Sequence, residues 1–371
     1  MTGPDPAVAA VRSAVRDCLA DLPSGARVLV ACSGGPDSLA LAAGTSFVAR
    51  AAGIGAGAVV VDHGWHPDSA RVGARAATTC RELGLSPVQL VAVSDNGAGG
   101  PEAAARDARY EALDTVARSH RADAVLLGHT LDDQAETVLL GLARGSGARS
   151  LSGMPARRGI LRRPLLHLPR TTTLRCCAAL GLQPWQDPAN DDDAYTRARV
   201  RRATGLLTAA LGDGLVPALA RTADLLREDA DALDELAARL LAQALVTAPG
   251  PLSGPGQPPP EPNGVGGPQQ TAELALEVEP LTGVAAAIRR RALLSALRLA
   301  GCPAGGLGRR HVLAVDALLI AWRGQGPVHL PGRVLARRDC GRLLLAGPPG
   351  CGGGFAEPGF VQEHGCAEEQ E

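Results

Sequence analysis

The residues best suited to chemistry are Ser33-Gly34-Gly35-Pro36-Asp37-Ser38, two residues after the apolar run Val28-Leu29-Val30. Two glycines let the backbone approach a ligand closely. A helix opened by Pro36 presents fresh N–H groups and the positive end of its dipole. Ser33 and Ser38 add hydroxyls, and Asp37 can hold a divalent cation against phosphate oxygens. This is an anion cradle built without lysine. All 37 basic residues of the chain are arginine, which excludes a Walker A loop and Schiff-base chemistry on an internal lysine.

Three further groups of residues carry chemical potential. In Gly128-His-Thr-Leu-Asp-Asp-Gln-Ala-Glu-Thr137, Asp133 and Glu136 are three apart and Asp132 and Glu136 four apart, so carboxylates share one helix face. Such acids at a helix N-terminus also serve as plain dipole partners; beside an anion cradle they can orient Mg²⁺ or a cationic co-substrate. Arg106 and Arg109 share a helix face suited to a triphosphate, or to solvent. The fourth group comprises Arg163-Pro-Leu-Leu166, Arg170 and the segment 187–202, with Asn190, Arg197, Arg199 and Arg201. Six arginines and no acid lie between Met154 and Gln186, which reads as an exposed track for phosphodiesters or as a plain surface stripe.

The elements that must position these residues follow from periodicity. Helix 6–22 precedes alternating strands (27–32, 57–62, 88–93, 124–128) and helices (38–52, 68–83, 102–119, 132–142). Strands separated by helical crossovers predict an α/β fold with a doubly wound parallel sheet. Ligands then sit beyond the carboxyl ends of the strands. Ser33, Asp62-His63 and Gly128-His129 all fall there, so one crevice is expected.

Residues 1–205 are expected to form this catalytic domain and 206–246 a helical linker. Residues 247–271, dominated by Pro and Gly, read as a disordered loop. Residues 272–346 read as a small α+β domain, with helices 284–300 and 308–322 followed by short strands. Residues 347–371 read as a flexible tail.

Net charge is −1, so contact with nucleic acid must come from local arginine clusters. Three Trp, two Tyr and three Phe are too few for a base-stacking platform, leaving Trp185 or Tyr195 as isolated stacking partners. Nine cysteines without a C-x-x-C pair fit reduced thiols in a cytoplasmic protein. No run approaches the ~18 apolar residues of a membrane span, and the N-terminus reads as an amphipathic helix rather than a signal peptide.

The pattern S-G-G-x-D-S resembles the PP-loop of the ATP pyrophosphatases, which grips the β,γ-pyrophosphate while a nucleophile attacks the α-phosphate. In order, SGGPDS (33–38), VDHG (61–64), EAAARDARYEAL (102–113), GHTLDDQAET (128–137), RPLL (163–166) and DPANDDDAYTRARVR (187–201) resemble the tRNA(Ile)-lysidine synthetase family, with a weaker match at WRGQGPVHLPG (322–332). Departures from the family pattern are Gly100, Thr130, Ala189 and Ala198.

The resemblance implies a PP-loop fold, a C-terminal tRNA-binding domain, and a ligase that joins free lysine to the wobble cytidine of CAU-anticodon tRNA(Ile) through an adenylated intermediate. It implies ATP and Mg²⁺, with Ser33, Gly34, Gly35, Pro36, Asp37, Ser38, Asp62, His63 and Gly128 around the nucleotide and Asp37 on the metal. Asp37, Arg109, Asp133 and Glu136 become the catalytic group. Asp133, Glu136 and Asp132 become the lysine site, and Arg163, Arg170, Asn190, Arg197, Arg199 and Arg201 the tRNA contacts. Alternatives are a PP-loop tRNA thiolation enzyme, an ATP-dependent amidating synthetase, or an RNA-binding protein with a vestigial nucleotide fold. The oligomeric state, a homodimer included, stays open.

Overall fold

The computed structural model describes residues 3–64, 68–93, 101–187, 192, 194–246 and 273–347, which form two compact units, Met1–Glu228 and Asp229–Glu371. The predicted loop over 247–271, Asn190, and all of the predicted tail except Gly347 lie outside the described residues.

In the first unit, strands β1 (Arg27–Ala31), β2 (Gly55–Asp62), β3 (Val88–Ala92) and β4 (Ala124–Leu126) are parallel. With β5 (Arg157–Arg158) and β6 (Leu161–Arg162) they form one six-stranded sheet, order β3-β2-β1-β4-β6-β5. Side chains alternate across it, as strand geometry requires. Val28 and Val30 join a core with Val11, Val15, Leu39 and Leu41, supplied by helices α1 (Pro6–Leu19) and α2 (Pro36–Ala52). Leu29 faces the other way, toward Val59, Val125, Leu113 and Val116; the last two lie on helix α4 (Pro101–His120). Helix α3 (Ser69–Glu82) adds Ala76, Ala77 and Cys80 to the first core.

The strand order has a direct consequence. The chain moves outward from β1 through β2 to β3, then returns to the opposite side of β1 with β4. The topological switch point therefore lies between β1 and β4, and a crevice opens beyond their carboxyl ends. Helices α2 and α5 (Leu131–Ala143) begin on its two sides.

The β5–β6 hairpin was not expected. It is antiparallel within itself, while β6 pairs parallel to β4. Part of the arginine-rich stretch is thereby drawn inside: Arg162 is buried and donates to Asp21 and to the carbonyl of Cys18. After α6 (Ala148–Leu151) and the hairpin come α7 (Arg170–Ala179) and α8 (Thr196–Leu211), the latter running through the expected boundary at 205. The division into compact units falls within α9 (Leu215–Ala244).

The second unit carries an antiparallel sheet of β7 (Glu273–Glu277), β8 (Val328–Leu330), β9 (Val334–Asp339) and β10 (Arg342–Ala346), order β7-β10-β9-β8. It is accompanied by α10 (Val278–Thr282), α11 (Ala286–Leu299) and α12 (Arg309–Ile320). Leu276, Leu281, Leu293, Leu297, Val315, Leu318 and Leu343 form its core. Within it Asp316 accepts from Arg289 at 2.5 Å and from Arg290 at 2.8 Å.

Candidate active site

The loop after β1 is shaped by its two glycines. Gly34 adopts φ +84°, a left-handed conformation that disfavours any side chain. Gly35 is the N-cap of α2 and, having no side chain, does not cap the first-turn N–H groups. Ser38 folds back on the loop: its hydroxyl donates to the Gly35 carbonyl at 2.9 Å and accepts from the Ser33 N–H at 3.2 Å. The Ser33 and Ser38 hydroxyls lie 3.3 Å apart. The backbone N–H of Trp185 donates to the Gly34 carbonyl at 2.9 Å, which fixes the loop from the side of α7.

Asp37 sits in the first turn of α2 and aims across the crevice. Its carboxylate accepts from the buried Thr173 hydroxyl and lies 3.4 Å from Arg170 Nε. Burial raises its pKa, against the pull of Thr173 and Arg170. Among the described residues, no three His, Cys, Asp or Glu side chains form a cluster able to hold a metal ion. The Asp37 carboxylate beside an anion cradle does fit Mg²⁺, which usually takes one or two carboxylates and completes its shell with substrate phosphates and water.

The acids after β4 are held by α5 itself and by α7. Asp133 Oδ2 accepts from the backbone N–H of Thr130 at 2.8 Å and from its hydroxyl at 2.9 Å. The departure at Thr130 thus has a function, since this fully buried residue caps the helix through the acid. Asp133 Oδ1 accepts from Arg170 NH2 at 2.7 Å. Burial alone would raise this carboxyl, but Arg170 and the Thr130 donors outweigh it and hold it below the usual range. Glu136 is buried, with Arg201 Nε at 3.1 Å and Arg170 NH1 at 3.5 Å. Asp132 Oδ2 accepts from the backbone N–H of Arg170 at 2.7 Å, so it anchors the start of α7.

Arg170 and Arg163 require correction. Both were expected on an exposed nucleic-acid track. Arg170 instead joins Asp37, Asp133 and Glu136, its three guanidinium nitrogens going to three different carboxylates. Arg163 is 5% exposed. Its Nε donates to His129 Nδ1 at 3.2 Å and its NH1 to the carbonyl of Pro155 at 2.8 Å. Because Arg163 can only donate, His129 Nδ1 is an acceptor and the neutral ring carries its proton on Nε2. Burial first, then Arg163, lowers the His129 pKa to about 3.

Arg197 and Arg199 are exposed on α8, while Arg201 turns inward to Glu136. Arg109 donates from Nε to His63 Nε2 at 3.2 Å, which brings the end of β2 to α4. Asp62 closes the turn after β2 by accepting from the Gly64 N–H at 3.0 Å. Arg106 lies over the Tyr110 ring, 5.3 Å from its centroid. Sequence reasoning missed Thr173, and missed that Arg170 ties the acids together. The signal was there: Pro169 starts a helix, and positions 170 and 173 then share a face.

The chain is similar to known proteins over both units. Residues 9–206 match the family described as PP-loop domain, and residues 276–344 the one described as TilS substrate binding domain. Over 347 residues the chain is 50% identical to the tRNA(Ile)-lysidine synthase of Thermobifida fusca, an alignment spanning 93% of this chain and 99% of the relative. Over 374 residues it is 48% identical to that of Streptomyces coelicolor, spanning 92% and 99%. A U34-tRNA thiolase from Methanococcus maripaludis, solved with its [4Fe-4S] cluster, shares the fold: TM-score 0.51 and 20% identity over 60% of this chain and 80% of that one.

Proposed function

This chain belongs to the tRNA(Ile)-lysidine synthase family, ligases that form a carbon–nitrogen bond, and we propose that it joins free lysine to the wobble cytidine of CAU-anticodon tRNA(Ile). The cytosine 2-oxo group attacks the α-phosphate of ATP and pyrophosphate leaves. The lysine ε-amine then attacks C2 of the adenylated base, and the C2–O bond breaks with release of AMP. Adenylation is needed because the carbonyl oxygen is otherwise a poor leaving group.

The observation that carries this reading is the meeting of the two halves of the site. Asp37 from the cradle and Asp133 and Glu136 from the acid helix converge on one guanidinium across the switch point. The Ser33–Ser38 loop binds the pyrophosphate moiety, Asp37 holds Mg²⁺, and Asp62 and His63 border the adenosine. Magnesium, when bound, supplies neutralisation of the triphosphate charge. Arg109 balances the charge that builds as the α-phosphate is attacked. Asp133, already held ionised, anchors the lysine ammonium together with Glu136. The amine has a reference pKa of ~10.4 and must lose a proton before attack, which a carboxylate at the site receives. Arg197 and Arg199, exposed on α8, and residues of the second unit contact the tRNA. Asp132 holds α7 rather than lysine. The reaction runs in the cytoplasm, where its three substrates meet.

The test is release of pyrophosphate and AMP from ATP with purified protein, Mg²⁺, the CAU-anticodon isoleucine tRNA and each amino acid in turn. AMP formation that requires both that tRNA and lysine, and is lost in Asp37→Ala, is expected. Turnover indifferent to lysine would overturn the reading in favour of thiolation or amidation chemistry.

A further inference from the structure

We propose that Arg170 is an internal cation against which the lysine ammonium competes for the acid cluster, so that it sets the affinity for the amine as well as the geometry of its site. This rests on the reaction proposed above.

The argument begins with which oxygens are taken. Asp133 Oδ2 receives two donors from Thr130, and Asp133 Oδ1 receives Arg170 NH2 at 2.7 Å. Glu136 Oε1 faces Arg201 and Arg170 together. An ammonium presents three N–H donors and no acceptor. To reach Asp133 it must take the oxygen that Arg170 holds, or share it with a like charge a few ångströms away.

The guanidinium is placed to give way without disturbing the fold. Its residue is tethered through the backbone, by the Asp132 carboxylate on the Arg170 N–H, while the side chain is 20% exposed. The tether holds the backbone whether or not the three-carbon arm keeps its place among the acids, and the side chain's partial exposure puts solvent close enough to receive a displaced head group.

The same arrangement explains why an arginine belongs there. Asp37, Asp133 and Glu136 approach from two helices, and close carboxylates repel and take up protons. A planar fork with three nitrogens can bridge all three at once, which a compact ammonium cannot. Arg170 therefore keeps the three acids gathered, at the cost of weaker lysine binding.

The experiment measures lysine KM and kcat separately, at saturating ATP and tRNA, in wild type, Arg170→Gln and Arg170→Lys, with thermal unfolding and ATP binding as controls for folding. In Arg170→Gln, removal of a competing charge at a partly solvated site is expected to lower lysine KM about five- to tenfold, while kcat falls because the carboxylates are no longer gathered. Arg170→Lys, which retains the charge but cannot span all three acids, is expected to shift KM the same way by about two- to threefold. A lysine KM unchanged or raised in either folded variant overturns the proposal and leaves Arg170 a scaffold residue. Wild-type turnover independent of lysine would instead sink the reaction itself.

Discussion

Gly128 and Asp37 meet backbone to backbone across the switch point. A Cβ on Gly128 would lie 3.1 Å from the carbonyl carbon of Asp37 and 3.2 Å from its carbonyl oxygen. The end of β4 and the start of α2 are thus in van der Waals contact, and the acid loop and the anion cradle share one register. A valine at 128 must push them apart. Gly128→Val is expected to lower ATP-dependent turnover at least tenfold and stability by about 1–3 kcal/mol, read by pyrophosphate release and denaturant unfolding; wild-type activity in this variant would show that the contact is not needed.

Asp37→Asn removes a charge that burial already disfavours while keeping an acceptor for Thr173. Pyrophosphate release is expected to drop by about two orders of magnitude or more, as for loss of a group that stabilises transition-state charge. Thermal stability should hold or rise. A parallel loss of stability and activity would assign Asp37 to the fold instead.

Arg163 and Arg199 should part company. Arg163→Ala strips a buried donor from His129 and from the Pro155 carbonyl, so a loss of about 2–4 kcal/mol in unfolding free energy is expected. Arg199 is exposed, and its guanidinium donates to the Ala194 carbonyl and the Thr196 hydroxyl. Arg199→Ala should leave stability within about 0.5 kcal/mol and weaken tRNA binding, with a shallower salt dependence. Equal tRNA affinities for Arg199→Ala and wild type across a salt series would remove Arg199 from the contact surface.

His129 makes an acid limb. Its folded pKa lies at about 3, whereas the unfolded chain titrates near ~6.5. Between those values the unfolded state binds more protons, so stability declines as pH falls from about 6.5 toward 3, by at most about 1.4 kcal/mol per pH unit. His129→Gln should flatten this limb in urea titrations at pH 4.5 and 6.5. An unchanged slope would mean that the imidazole protonates in the folded protein.

In the second unit, Asp316 is buried between Arg289 and Arg290. Removing one partner of a buried ion pair leaves charge without compensation. Asp316→Ala is expected to cost about 3–5 kcal/mol, visible as early unfolding of this unit in hydrogen exchange.

Much of this protein was legible in its sequence because local signals agreed with one another. Apolar strands followed by helices, a glycine turn before Pro36, and acids three and four apart are properties of neighbouring residues, and they sufficed for the parallel sheet and its family. What the chain alone could not decide was the destination of long side chains. An arginine can lie in solvent or bridge buried acids, and its neighbours in sequence do not say which. Arg163 and Arg170 read as surface residues because no acid lies near them in the chain; the acids that hold Arg170 come from residues 37 and 132–136, brought up by strands that pair only in the folded sheet. Local periodicity determined where most of the elements of the parallel sheet are, and only the tertiary packing added the β5–β6 hairpin and decided which charges meet.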